Sequence, residues 1–163
     1  MIRPAKPTDA PAIIAIYNYY VLTSTITFEE ELVSEEDMAQ RIVDATEKFA
    51  WFVYEHAGQV VGYAYATPWR SRCAYRLSVE TSVYISKDYA QMGIASKLYR
   101  VLMDELTNRG VHAVIAGISL PNAASIALHE KFKFEKVAHF LQVGRKFEKW
   151  IDVGYWEVLI NHS

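Results

Sequence analysis

Ser78-Val79-Glu80-Thr81-Ser82-Val83-Tyr84-Ile85, followed by Gln91-Met92-Gly93-Ile94-Ala95-Ser96, decides the fold. The first run reads as a β-strand carrying one out-of-place carboxylate. After a short loop, the second reads as a Gly-centred turn opening a long amphipathic helix, with Ile94, Leu98, Val101, Leu102 and Leu106 on one side and Arg109-Gly110 at its end. Backbone N–H groups at a helix start have no partner within the helix, and the helix dipole favours negative charge there. Strand, turn and helix together therefore predict a cradle for a phosphorylated ligand. Taken alone, a glycine before a helix is more often a packing or turn residue. Glu80 equally fits a surface or salt-bridged strand carboxylate; facing a cleft, partial burial would raise its pKa and suit it to general-base work.

Outward from this unit, the rest of the chain reads as a single α+β domain over residues 1–163. Thr8-Asp9 before Pro11 starts a first helix running to about Val21, and Ser34-Glu35-Glu36-Asp37 resembles a capping box that starts a second. Residues 23–31 form a loop around Phe28. Phe52-Val53-Tyr54-Glu55 and Val60 to Ala66 are two strands joined by the turn His56-Ala57-Gly58-Gln59. Tyr75 to Ile85 is a strand, and Val111 to Ile118 a buried one. Pro121-Asn122 caps a further helix, and Phe134 to Val143 and Ile151 to Leu159 close the chain as strands around a polar turn at Gly144-Arg145-Lys146. The order predicts one mixed sheet layer with helices packed on it.

Composition excludes several functions. The 163 residues carry 17 basic and 19 acidic side chains, a net charge of −2, so no basic field draws nucleic acid. No run of 18 apolar residues is present and the N-terminus leads straight into folded-looking sequence, so neither a membrane span nor a signal peptide is expected. One cysteine, Cys73, forbids an intramolecular disulfide and fits a reducing cytoplasm. The 5 histidines show no metal-ligand spacing, and no hydrolase elbow occurs. Two further clusters could carry chemistry. Trp69-Arg70-Ser71-Arg72-Cys73-Ala74-Tyr75 sets two guanidinium groups beside aromatics, suited to clamping an anion or to lying in a solvated loop. In Pro121 to Phe132, Asn122 caps the helix or bonds a ligand amide. His129 lies two turns on along the same face, where a lone histidine is more often structural than catalytic.

Together these segments resemble the GCN5-related N-acetyltransferase (GNAT) superfamily, and within it the phosphinothricin N-acetyltransferase and methionine sulfoximine/sulfone acetyltransferase group. The resemblance runs from Ile2-Arg3-Pro4-Ala5 to Asp152-Val153-Gly154-Tyr155-Trp156. Its specific parts are Ala64 to Arg72, Val79 to Ile85 and Leu120-Pro121-Asn122 through Leu128-His129-Glu130. It implies a mostly antiparallel sheet flanked by helices, with acetyl-CoA as co-substrate and no metal. Val83, Tyr84 and Ile85 would meet the pantetheine arm and thioester. Gln91, Met92, Gly93, Ile94, Ala95 and Ser96 would hold the pyrophosphate, and Asn122 would touch the pantetheine. Glu80 would deprotonate the substrate ammonium, and His129 would act as an additional acid or base. Phe28, Arg72, Tyr75 and, less closely, Arg70 would line the amino-acid pocket. Three positions depart from the superfamily pattern: Ala90 replaces its Gln or Arg, and Gln91 and Lys133 stand where glycine is common.

The activity so implied is N-acetylation of the α-amine of a small polar amino-acid analogue, such as phosphinothricin, methionine sulfoximine or methionine sulfone. Acetylation of a protein or peptide N-terminus and a non-catalytic acyl-CoA-binding regulator are the alternatives. Aminoglycosides would want an acidic pocket, against Arg70 and Arg72. The group also implies a homodimer, compatible with the aromatic segment Trp150, Tyr155 and Trp156.

Overall fold

The computed structural model describes residues 1–161. Strand β1 (Ile2–Pro4) leads into helices α1 (Ala10–Thr23) and α2 (Glu35–Lys48), then strands β2 (Ala50–His56), β3 (Gln59–Pro68) and β4 (Ser78–Ile85). Helix α3 (Ile94–Asn108), β5 (Ala113–Ser119) and α4 (Ala123–Lys131) follow, and β6 (Glu135–Lys146) and β7 (Lys149–Leu159) close the chain. The seven strands form one sheet in the order β1-β2-β3-β4-β5-β7-β6. Every neighbouring pair is antiparallel except β4 with β5, where the crossover through α3 returns the chain to run parallel.

Strand alternation builds a core on each face of this sheet. Ala64 and Ala66 of β3 face α3, where Leu98, Leu102 and Leu106 meet Val114, Ala116 and Ile118 of β5. Their neighbour Tyr63 points the other way, with Trp51 and Val53 of β2, onto Ile13 and Ile16 of α1 and Met38 and Ile42 of α2. Small residues on one side of β3 let α3 lie close, and large aromatics fill the wider space under α1 and α2.

Both expected helix starts form, with different chemistry. Ser34 Oγ accepts from the Asp37 amide at 3.1 Å and caps α2. Asp9 instead spends its carboxylate on the Lys6 amide and on the Arg3 guanidinium, and this double engagement holds its pKa below the usual carboxylate value. Arg3 also pairs with Glu55, so β1, β2 and the start of α1 share one cation.

Several boundaries differ from the sequence reading by a residue or more, and two of them change how the chain turns. Strand β4 begins at Ser78, because Cys73–Tyr75 make a turn of 3-10 helix. Gly144, Arg145 and Lys146 belong to β6, and the chain reverses instead at Phe147 and Glu148, both at positive φ (52° and 61°). A two-residue hairpin turn demands that conformation, and neither residue is one of the glycine or asparagine types that announce it.

The substitutions at glycine-type positions keep glycine's geometry. Gln91 sits at φ 62° and Lys133 at φ 71°. At Lys133 the left-handed residue ends α4: its amide reaches the Glu130 carbonyl at 3.0 Å, and the Phe134 amide reaches that of His129 at 3.1 Å. A side chain there costs about 1 kcal/mol relative to glycine. Lys133→Gly is therefore expected to raise stability by about 1 kcal/mol, read as a higher urea midpoint at unchanged m-value. An unchanged or lower midpoint would show that the conformation is not strained.

Candidate active site

The site begins where the sheet comes apart. β4 pairs with β5 at only three positions, Ser78 with Ala113, Val79 with Val114 and Glu80 with Ile115. Each strand stays bonded to its outer neighbour, β4 to β3 as far as Ile85 and β5 to β7 as far as Ser119. From Thr81 onward β4 therefore presents an open backbone edge to a cavity of about 380 Å³. Val83, Tyr84 and Ile85 line it from one side, and Gly117, Ile118 and Ser119 from the other. Of the β4 acceptors, the Ile85 carbonyl is already taken by the Tyr20 hydroxyl.

The helix starts close the cavity's mouth. Gly93, at φ 76°, has no atom within 4 Å of where a Cβ would stand. The first helical bond of α3 runs from the Lys97 amide to the Gly93 carbonyl, leaving the amides of Ile94, Ala95 and Ser96 without partners in the helix. Gln91, Gly93, Ile94, Ala95, Ser96 and Asn122 all line the cavity. Met92 does not; its side chain is largely exposed in a separate depression beside α1. The Asn122 carboxamide oxygen caps α4 by accepting from the Ser125 amide at 3.1 Å. An open strand edge leading to free amides at a helix N-terminus, with bare space over Gly93, fits an extended amide-bearing arm that ends in a pyrophosphate.

Glu80 lies where the two strands part. It is half-buried, and among the described residues no ion pair or hydrogen bond holds its carboxylate. Burial pushes its pKa up, and the nearby Arg70 charge pulls the other way. One carboxylate oxygen leans across to β5, where a Cβ on Gly117 would stand 3.3 Å from it and 3.0 Å from the Tyr155 ring. Tyr155 is walled edge-on by Trp69 (ring centroids 5.6 Å apart) and Phe140 (5.8 Å), and the Arg70 guanidinium stacks 4.0 Å over Trp69. The Glu80 carboxylate thus sits beside an aromatic wall with a cation at its rim.

Other expected pocket residues lie farther out. Arg72 lines a broad groove with Arg70, Arg76, Lys48 and Arg109 at the other end of β4, and Tyr75 is exposed in the 3-10 turn. Among the described residues neither bonds to Glu80. Phe28 is also largely exposed, its ring against Gly144 of β6. Its loop is firmly tied. The buried Lys146 ammonium donates to the Thr27 carbonyl at 2.8 Å, Thr27 Oγ1 bonds the Tyr17 hydroxyl at 2.7 Å, and Ser119 Oγ donates to the Thr25 carbonyl at 2.6 Å. Sequence reading missed Gly117, Tyr155 and Lys146. Their only signal lies in which face of a strand each occupies, and that depends on register.

His129 is 3% exposed and lines the cavity from behind. Its Nδ1 lies 2.7 Å from the Ser125 carbonyl and its Nε2 2.7 Å from the Tyr99 hydroxyl. Burial pulls its pKa below the ordinary histidine value. Among the described residues no cluster of three metal-ligating side chains occurs, and no helix is long and apolar enough to cross a membrane.

Comparison with known proteins agrees with this geometry. The sequence model of the acetyltransferase (GNAT) domain matches residues 2–154. The chain is 36% identical to phosphinothricin N-acetyltransferase of Streptomyces viridochromogenes over 156 residues, covering 96% of this chain and 85% of that protein. It superposes with a TM-score of 0.95 on the crystal structure of a GNAT superfamily phosphinothricin acetyltransferase from Sinorhizobium meliloti in complex with acetyl-CoA. Identity there is 34%, over 99% of this chain and 88% of that one. It superposes equally well, TM-score 0.95 at 39% identity, on a ribosomal-protein-alanine N-acetyltransferase from Brucella melitensis, over 98% of this chain and 99% of that one.

Proposed function

Because the chain belongs to the acetyltransferase (GNAT) family and is an acetyl-CoA-dependent N-acetyltransferase, we propose that it acetylates the α-amine of a small, polar amino-acid analogue of the phosphinothricin or methionine sulfone type, with Glu80 as the base. The observation that carries this reading is Gly117. It lines the cleft that fits acetyl-CoA and also lies against the Glu80 carboxylate, which supports a reading in which base and thioester meet beside this residue.

A free amino acid carries its amine as an ammonium at neutral pH and must lose a proton before it can attack. Glu80, without an ion pair among the described residues and with a raised pKa, is suited to accept that proton directly or through one water. The nitrogen then forms a bond to the acetyl carbon as the carbon–sulfur bond breaks, with no covalent enzyme intermediate. The Val83 amide, on the edge of β4 turned away from β3, is the donor available to the carbonyl oxygen as charge develops on it; the Tyr84 amide faces β3. The Arg70 guanidinium at the rim is the nearest cation for the acidic group of such a substrate. Arg72, Tyr75 and Phe28 would complete the pocket from its outer edge.

The reading includes a cytoplasmic homodimer built from one 1–163 domain per subunit. The β6–β7 hairpin supports it by exposing Val137, Leu141, Val143, Phe147 and Trp150. Of the aromatic residues expected there, Trp156 is instead buried in the α3 core.

Acetylation of an alanine-initiated peptide is the second reading, favoured by the similarity to the Brucella protein. Thiol release from acetyl-CoA with L-phosphinothricin, methionine sulfone, methionine sulfoximine and an alanine-initiated peptide separates the two. Turnover is expected with the amino-acid analogues and not with the peptide. Turnover with the peptide alone would replace the substrate assignment, and acetyl-CoA binding without release on any amine would make the chain a non-catalytic binder.

A further inference from the structure

At the apex of the cleft, three buried polar side chains from three different elements bond to one another. Thr81 of β4 is 4% exposed, Tyr99 of α3 0% and His129 of α4 3%. Thr81 Oγ1 lies 3.0 Å from the Tyr99 hydroxyl, which lies 2.7 Å from His129 Nε2. Phe132 packs edge-on to Tyr99 and Phe134 edge-on to His129, so the chain sits in an apolar box.

Elementary donor and acceptor rules fix the direction of this chain. A carbonyl only accepts, so His129 Nδ1, 2.7 Å from the Ser125 carbonyl, carries the proton. In the neutral ring favoured by burial, Nε2 is then bare and accepts from the Tyr99 hydroxyl. The Tyr99 oxygen in turn accepts from Thr81. Burial pushes the Tyr99 phenol's pKa up, so it stays protonated. The charged group felt by this cluster is Glu80, whose carboxylate acts in the same direction on Tyr99. Every proton in the chain is committed, and His129 receives a bond at Nε2 instead of offering one.

The placement gives the chain a task. Thr81 is the first β4 residue past the last β4–β5 pair. α3 and α4 bring Ile94 to Ser96 and Asn122 to the cavity's mouth from their N-termini. The three side chains therefore join both helices and the free half of β4 at one point. The other side-chain bond between α3 and α4 among the described residues is the exposed Lys131–Ser96 contact at 3.1 Å. Resting on the assignment of this cleft to acetyl-CoA, we propose that His129 and Tyr99 are a pair of positioning residues. They tie α3 and α4 to β4 and set the width of the cofactor cleft, with His129 serving as a hydrogen-bond acceptor and not as an acid.

Four variants test this: Tyr99→Phe, His129→Phe, the double variant, and His129→Gln, whose side-chain carbonyl can still accept from Tyr99. Losing the bond is expected to raise the Kd for acetyl-CoA about tenfold, equivalent to about 1.4 kcal/mol, with kcat falling less than threefold. The double variant should be no worse than either single one, and His129→Gln should stay within about threefold of the parent. The pH profile of kcat should keep its shape in all four. Nitrogen-15 histidine NMR of the unliganded protein reads the tautomer without reference to activity, and His129 should be protonated at Nδ1 alone. A hundredfold fall in kcat at unchanged Kd in both His129→Phe and His129→Gln would overturn the proposal and make the imidazole a catalytic acid or base. Additive effects, or an Nε2-protonated ring, would overturn the pairing. Failure of the parent protein to bind acetyl-CoA would count against the cleft assignment, with the tautomer still deciding the pairing.

Discussion

Glu80→Gln is expected to lower kcat for the amino-acid substrate by at least about a hundredfold near neutral pH, the usual scale for losing a general base. Acetyl-CoA should bind as before, because the residues that fit its pyrophosphate lie at the other end of the cleft. The amide is close in shape to the carboxylate, and Glu80 makes no ion pair among the described residues, so no charge is orphaned by the change. Burial raises the Glu80 pKa, so the carboxyl stays protonated further toward neutrality than an exposed glutamate does. A protonated Glu80 cannot accept a proton. The parent rate should therefore climb as pH rises through this raised pKa, and the variant's profile should lack that limb. Initial rates of thiol release across pH, with calorimetry for acetyl-CoA, measure both. Retention of kcat within threefold, with the acidic limb intact, would remove Glu80 from the mechanism.

What was legible in the sequence follows what sequence encodes locally. Val79 to Ile85 alternates as a strand must, which sets Glu80 on one strand face and Thr81 on the other. The Gly93 turn and the α3 stripe of Leu98, Leu102 and Leu106 are likewise local patterns. The parting of β4 from β5 is not. It depends on each strand finding its other neighbour, β3 or β7, and nothing in either strand records that. His129 shows the same limit, since its spacing from Asn122 placed it on the site's side of α4. Its burial and its bond to Tyr99 come from a helix thirty residues away. The hairpin turn was misplaced for a third reason: Phe147 and Glu148 hold positive φ that side-chain chemistry does not advertise. Gln91 and Lys133 show the converse, backbone geometry kept after the glycine that usually supplies it has gone.

The second large effect is expected at Gly117, a residue with no side chain to contribute. β5 is an inner strand of the sheet, and its residues on either side of Gly117, Ala116 and Ile118, are buried against α3. Gly117 faces the opposite way and is exposed in the cleft. A β-branched residue suits strand backbone, so Gly117→Val should still fold, with the Tyr155 ring giving way by a few tenths of an ångström. Its Cβ would stand 3.3 Å from the Glu80 carboxylate and 3.0 Å from the Tyr155 ring, with two methyl groups beyond it. That volume is where an amine must sit to touch Glu80 and reach the thioester together. Displacing a reacting atom by about 1 Å can cost a hundredfold. Gly117→Val is accordingly expected to lower kcat/KM for the amine about a hundredfold, and Gly117→Ala about tenfold, while the Kd for acetyl-CoA changes less than threefold. A loss of acetyl-CoA binding equal to the loss in rate would place the obstruction in the cofactor arm and not at the amine. Parent-like turnover in Gly117→Val would show that the nucleophile approaches Glu80 from another side, and that the shared opening between base and cleft is not the reaction path.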